Sequence, residues 1–264
     1  MSYPCLNTKN ISIHLSVQNP NMLASKKDIV AQLQQQILQW EGFAPPAAAK
    51  AKGIGMGAIE AAFPNGVFPA GAIHEMICPD AEHTAATGGL LAGILNSLMK
   101  QGGACLWIST SRTLFPPALS RFNVAPDRVI FIDAGTEKEV LWVMEQALKC
   151  EGLAAVVAEV KEISIIQSRR LQLAVESSRV TGFLLRNDLR KLGANTCVAR
   201  WEISPLPSSL EEGLPGVGYP RWQVNLLRVR NGTPGSWKLE WINEGFNEVK
   251  EERIHTISEN RIAG

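Results

Sequence analysis

Hydrophobic residues first recur at helical spacing between positions 29 and 40. Ile29, Leu33, Ile37 and Trp40 share one helical face, with Val30 and Leu38 beside them and a Gln-rich face opposite. Ser25 with Asp28 is a weak capping box at the start, and Gly42 with Pro45-Pro46 ends the pattern. The polar, Asn-rich residues before it (1–24) read as a flexible leader. Residues 43–57 read as a linker, so 25–57 form an N-terminal helix and linker. Gly53, Gly55 and Gly57 make a short GxGxG. No strand precedes it and no adequate helix follows, so it lacks the context of a dinucleotide fingerprint.

From Ala72 the texture changes. Near-continuous apolar runs at Ala72–Ile77, Ala104–Ser109, Arg128–Asp133, Leu153–Glu159 and Thr181–Arg186 predict strands. Helical patterns separate them: Leu90 to Met99, a short one at Pro116–Asn123, one from the Thr136/Glu139 capping box to Lys149, and Ile163–Arg179. Strands buried on both faces and alternating with helices predict an α/β fold with a mostly parallel sheet. The chain then switches to three strands without helices, Thr196–Ile203, Arg221–Arg230 and Ser236–Ile242, an antiparallel extension. Asn231-Gly232 and Pro234-Gly235 supply its turn. A phase shift at Leu226-Leu227 predicts a β-bulge. The core is thus expected over 58–243, followed by a charged tail over 244–264.

Composition narrows the chemistry. Twenty-six Lys and Arg balance 25 Asp and Glu over 264 residues, a formal charge of +1, so the chain is not a dedicated polybasic protein. Five cysteines without a CxxC pair and four scattered histidines argue against a zinc site or a disulfide framework. Buried thiols are the expectation, with no metal and no cofactor. No apolar run reaches the ~18–20 residues of a membrane span, and a cytoplasmic protein is expected.

Ligands of open α/β sheets sit at the carboxyl ends of strands, first at the loop after Ala72–Ile77. A phosphate loop there would read GxxxxGK[ST]. The chain instead reads Cys78-Pro-Asp-Ala-Glu-His83-Thr84-Ala85. Cys78 and His83 replace the glycines, Thr84 the lysine and Ala85 the hydroxyl, while Asp80 and Glu82 add negative charge. At an effective dielectric near 20, a like charge at about 4 Å costs roughly 4 kcal/mol. Glu159 ends its strand where a Walker-B acid would stand, and strands often end in an acid. No carboxylate after Ser109 is placed to polarise water, and no GxSxG elbow occurs. These absences predict no ATPase activity and no catalytic residues.

The run Gly57 to Glu75 (GAIEAAFPNGVFPAGAIHE) resembles the approach to the phosphate loop of a RecA core. A more specific likeness is to the ImuA family, carried by FPNGVFPAGAIHE (63–75), AATG (85–88), LWIS (106–109) and GVGYPRWQVNLLRVRNGTPGSWKLEW (216–241). The resemblance spans roughly residues 25–245. It implies a RecA-like fold and a non-catalytic accessory role in damage-induced, error-prone translesion DNA synthesis. Its implied partners are an ImuB-like Y-family polymerase relative, and also RecA and an error-prone replicative-type polymerase. Two other classes stay open: a RecA-like nucleotide- and DNA-binding ATPase with an unconventional site, and a SulA-like division inhibitor, which the length disfavours.

Candidate surfaces follow. The Ile29/Leu33/Ile37/Trp40 stripe suits a protomer contact or packing on its own core. Arg186, Arg190 and Lys191 fall where RecA carries a DNA-contacting loop. Arg221, Arg228 and Arg230 alternate with Trp222, Trp237 and Trp241, which suits single-stranded nucleic acid and a charged edge strand equally. Val249, Ile254 and Ile257 in the tail are candidates for docking on an ImuB-like partner.

Overall fold

The computed structural model describes residues 53–111, 114–188, 193–209 and 217–249, all within the compact unit Ala47–Gly264. Its strands are β1 (Ile73–Ile77), β2 (Ala104–Ser109), β3 (Val129–Asp133), β4 (Leu153–Val160), β5 (Thr181–Arg186), β6 (Ala199–Ser209), β7 (Tyr219–Val229), β8 (Gly235–Ile242) and β9 (Gly245–Glu248). They form one sheet in the order β3-β2-β4-β5-β1-β6-β7-β8-β9. The first six in that order pair in parallel, and β6 to β9 pair antiparallel. Every residue of β1 and β5 is buried, which is why those runs lack alternation.

Three helices cover the sheet: α1 (Ala81–Met99), α2 (Glu137–Ala147) and α3 (Ile165–Ser178). Crossover handedness puts α1 on one face and α2 with α3 on the other. Val140 and Met144 of α2 and Leu171 and Val175 of α3 close over Ile73, Ile108, Val156 and Leu184. On the far face, α1 lies over the aromatic side of the antiparallel strands. A Cβ at Gly93 would stand 2.5 Å from Phe246 and 2.8 Å from Trp241, so glycine lets α1 approach that closely.

The caps follow the sequence with small shifts. Thr136 accepts the Glu139 amide, but the Glu139 carboxylate reaches Gly135 N–H rather than Thr136, so only half the predicted box forms. The complete box lies at α3, where Ser164 and Gln167 cap each other. The short helix at Pro116–Phe122 is a 3-10 helix, closed by Asn123 in the left-handed region.

The bulge forms as expected. Arg200 opposes Arg228 and Trp201 opposes Leu226, leaving Leu227 as the extra residue. Three other expectations change. First, β6 runs through Pro205 and Pro207. It extends past β1, whose pairing stops at Glu202, so the prolines lack a ladder bond to make on that side. Second, the charged tail begins later. Asn243 and Glu244, both at positive φ, form a two-residue turn into β9, and Val249 N–H still bonds Lys238 O at 2.9 Å. Third, the end of the predicted linker is packed core. Ile54 and Met56 are buried, and the amides of Gly55 and Met56 donate to Glu60 Oε1 at 2.8 and 3.0 Å.

Candidate functional site

The first two loops of interest meet at the carboxyl ends of β1 and β5. A cleft of about 520 Å³ opens there, walled by Cys78, Pro79, Asp80, Thr84, Lys161 and Asp188. Asp80 is the N-cap of α1. Its Oδ1 accepts the His83 backbone N–H at 2.9 Å and His83 Nδ1–H at 2.8 Å. Thr84 turns its hydroxyl back onto Asp80 O at 2.8 Å. With Nδ1 donating to Asp80, His83 Nε2 accepts the Ser204 hydroxyl at 3.2 Å, which ties the loop to β6.

Carboxylates outnumber cations on the cleft wall, Asp80 and Asp188 against Lys161. The His83 hydrogen bonds, backbone first and then side chain, hold the Asp80 carboxyl below its usual range. Burial pushes the Cys78 thiol up to about 11, and the charges of Glu159 and Asp80 add to that. Glu159 Oε1 accepts the Trp107 indole N–H at 2.8 Å. Lys161, the cation on the wall, pairs with Glu137 at 3.6 Å. The other thiols follow the same logic of burial: Cys105 and Cys197 are pushed up to about 12, and Cys150 is exposed. Among the described residues no group of three His, Cys, Asp or Glu is arranged to hold a metal.

Beneath the cleft lies a charged cluster that sequence reasoning missed. Glu75 is fully buried in β1. It takes Arg186 Nη1 at 2.8 Å from β5 and Arg200 Nε at 2.5 Å from β6. Burial raises the Glu75 pKa, but hydrogen bonds from Arg186, Asn195 and Arg200 and the Arg200 charge outweigh it, and the net shift is down. The available signal was an acid in the middle of an apolar strand, which burial permits only with a cationic partner. His74 beside it is buried and neutral, with its pKa lowered to about 4 by burial. Its Nε2–H donates to Pro69 O, its Nδ1 accepts Trp201 N–H, and Phe68 stacks on its ring at 4.5 Å.

These contacts remove Arg186 from the candidate nucleic-acid surface and engage the other described arginines of it. Arg186 is 1% exposed and spent on Glu75, so it does not face solvent. Arg228 Nη2 binds Asn195 Oδ1 at 2.5 Å, and Arg230 Nη2 binds Thr196 O at 2.8 Å. Both pin the strap leading into β6. Arg221 pairs with Glu240 at 2.8 Å. Trp222 and Trp241 are buried among Phe122 and Phe246 rather than presented as a stacking platform. Val249 is half-buried and joined to β8, not part of a free tail. Arg190, Lys191, Ile29, Leu33, Ile37, Trp40, Ile254 and Ile257 lie outside the described residues.

A parallel sheet with its crevice at the end of β1, continued by an antiparallel meander, is the architecture of a RecA-like α/β protein. The crystal structure of the RadB recombinase shares it, with a TM-score of 0.50 at 16% identity over 70% of this chain and 93% of that one. The chain belongs to the ImuA family. It is 34% identical over 201 residues to Protein ImuA from two strains of Caulobacter vibrioides, covering 71% of this chain and 82% of the relative. No family model matches it. No helix among the described residues is long and apolar enough to cross a membrane.

Proposed function

We propose that this chain is a non-catalytic, RecA-like accessory protein of damage-induced, error-prone translesion DNA synthesis, acting through protein contacts. The observation that carries the non-catalytic reading is Asp80. Its carboxylate takes the His83 amide at the start of α1, where a phosphate loop offers its amides to nucleotide. The loop thus fills its own anion site, and no lysine follows to recruit a phosphate. Family membership supports the pathway and the partners: an ImuB-like polymerase relative, with RecA and an error-prone replicative-type polymerase as further contacts. Such a protein works in the cytoplasm and joins the nucleoid when engaged.

Calorimetry with ATP, with and without Mg²⁺ and single-stranded DNA, tests the reading. No heat at millimolar nucleotide is expected. Micromolar binding would overturn it in favour of a nucleotide-controlled RecA relative. The open cleft and Glu159 at the end of β4 are what favour that second reading. In that case Glu159→Ala should abolish nucleotide-dependent DNA binding. Co-purification with an ImuB-like protein tests the partner independently.

A further inference from the structure

The outer face of α2 and α3 carries more apolar surface than its own core packing requires. Eight large hydrophobic side chains are exposed among the described residues, and four stand on these two helices: Trp142 (61%), Ile165 (56%), Ile166 (72%) and Leu173 (50%). The inward stripes are complete without them, because Val140, Met144 and Ala147 of α2 and Leu171, Ala174 and Val175 of α3 are buried. A surface helix normally keeps that outer side polar.

The exposed positions form a second stripe. Ile166, Arg170 and Leu173 fall on one side of α3 at spacings of four and three. Trp142 sits one turn before Glu145 on α2, and Arg170 Nη2 reaches Glu145 Oε2 at 2.6 Å, so the two stripes adjoin. Between them Leu141, Trp142, Gln167 and Leu171 line a groove of about 160 Å³. At ~30 Å³ per water molecule, that is about five waters, room for one large apolar side chain.

The rim is basic. Lys138 and Arg170 line the groove, and Lys149 stands beside them on Glu145. Against them stands Glu145, already shared by Lys149 and Arg170, with Glu176 at the far end of α3. The chain's own terminal segments do not complement this charge. Residues 25–41 set Lys26 and Lys27 against Asp28 and Glu41. Residues 250–264 set Lys250, Arg253 and Arg261 against Glu251, Glu252 and Glu259. Both are neutral.

We infer that the α2–α3 face docks an acidic amphipathic helix of another protein. One apolar anchor of that helix enters the groove beside Trp142, anchors at i+3/i+4 and i+7 lie on Ile166 and Leu173, and its carboxylates meet Lys138 and Arg170. The inference goes beyond the accessory reading and rests on this face alone. A chain that bound nucleotide would carry it equally.

The probe is a synthetic peptide of about 18 residues, long enough to form a helix. It has leucines at the anchor spacing and glutamates elsewhere, and is titrated onto the full chain by fluorescence anisotropy. Saturable binding is expected, weakened at least tenfold by Trp142→Ala and by Ile166→Asn, on the scale of losing an interface anchor. Lys138→Glu with Arg170→Glu should weaken the acidic peptide and favour its lysine analogue. Unchanged melting curves establish that the variants fold. The inference is overturned by no binding, by equal binding of a scrambled peptide, or by equal binding to every variant. It is also overturned if Trp142→Ala abolishes a dimer seen by sedimentation, or if the face binds anionic phosphatidylserine vesicles and not the peptide.

Discussion

Glu75 and His74 are consecutive residues of β1 that answer acid in the same direction for different reasons. The folded Glu75 pKa is lowered, so its stabilisation is complete above the unfolded value of 4.5 and is lost as pH falls through the folded value. The folded His74 pKa is about 4 against 6.5 unfolded, so only the unfolded chain takes up that proton between those values. The cost grows as pH falls and reaches roughly 3 kcal/mol near pH 4. Urea midpoints should therefore decline from about pH 6.5 downward. His74→Phe should remove the first part of the decline, while costing about 1–3 kcal/mol at neutral pH by stranding the Trp201 N–H. Glu75→Gln should cost about 3–5 kcal/mol, because two arginines lose their counter-charge, whereas replacing all three residues by apolar ones should cost far less. Asp80→Ala removes a cap and should lower the melting temperature by about 2–4 °C. A larger loss would mean that the His83–Ser204 tie matters more than the cap. None of the partners at this scale could be named from sequence. Glu75 meets Arg186 and Arg200 across 111 and 125 residues, and His83 meets Ser204 across 121.

The elements were legible wherever local physics decides them. The apolar runs of β1, β2, β4 and β5, the Thr136 cap and the bulge at Leu227 follow from burial, hydrogen-bonding side chains and a period-two pattern. Two elements were not legible. In β6, Pro205 and Pro207 look like strand breakers, and become tolerable only because β1 ends first. In β9, Gly-Phe-Asn-Glu is too short and polar to declare itself, and it exists because β8 offers an edge and Phe246 a place against Trp241. The approach of α1 to these strands gives a test. Gly93→Ala improves helix propensity by up to about 1 kcal/mol, but its Cβ lands on Phe246 and Trp241. Overpacking of about 1–3 kcal/mol should win. A variant that melts higher than the parent would show that the rings yield freely.

At the scale of the molecule, the boundary of the sheet is the part that can be cut. Truncation after Val249 is the reference, because it keeps every strand of the sheet. Truncation after Asn243 also removes β9 and the cover that Phe246 gives Trp222 and Trp241, and should cost about 3 kcal/mol or more by analogy with loss of a packed aromatic. Equal melting of the two would mean that β9 adds nothing to the core.

The sequence by itself determined the α/β class, the antiparallel extension and the family, because these depend on residue type and short-range periodicity. Only the tertiary structure decided what the charged and aromatic residues do. Of the arginines that read as a nucleic-acid surface, Arg186 is buried with Glu75, Arg228 and Arg230 hold the strap before β6 and Arg221 pairs with Glu240, while Trp222 and Trp241 pack under α1. The reason is that a charge or a ring carries no mark of its partner. Strand order brings β5, β1 and β6 side by side, and that order is set by crossovers longer than any local pattern can encode.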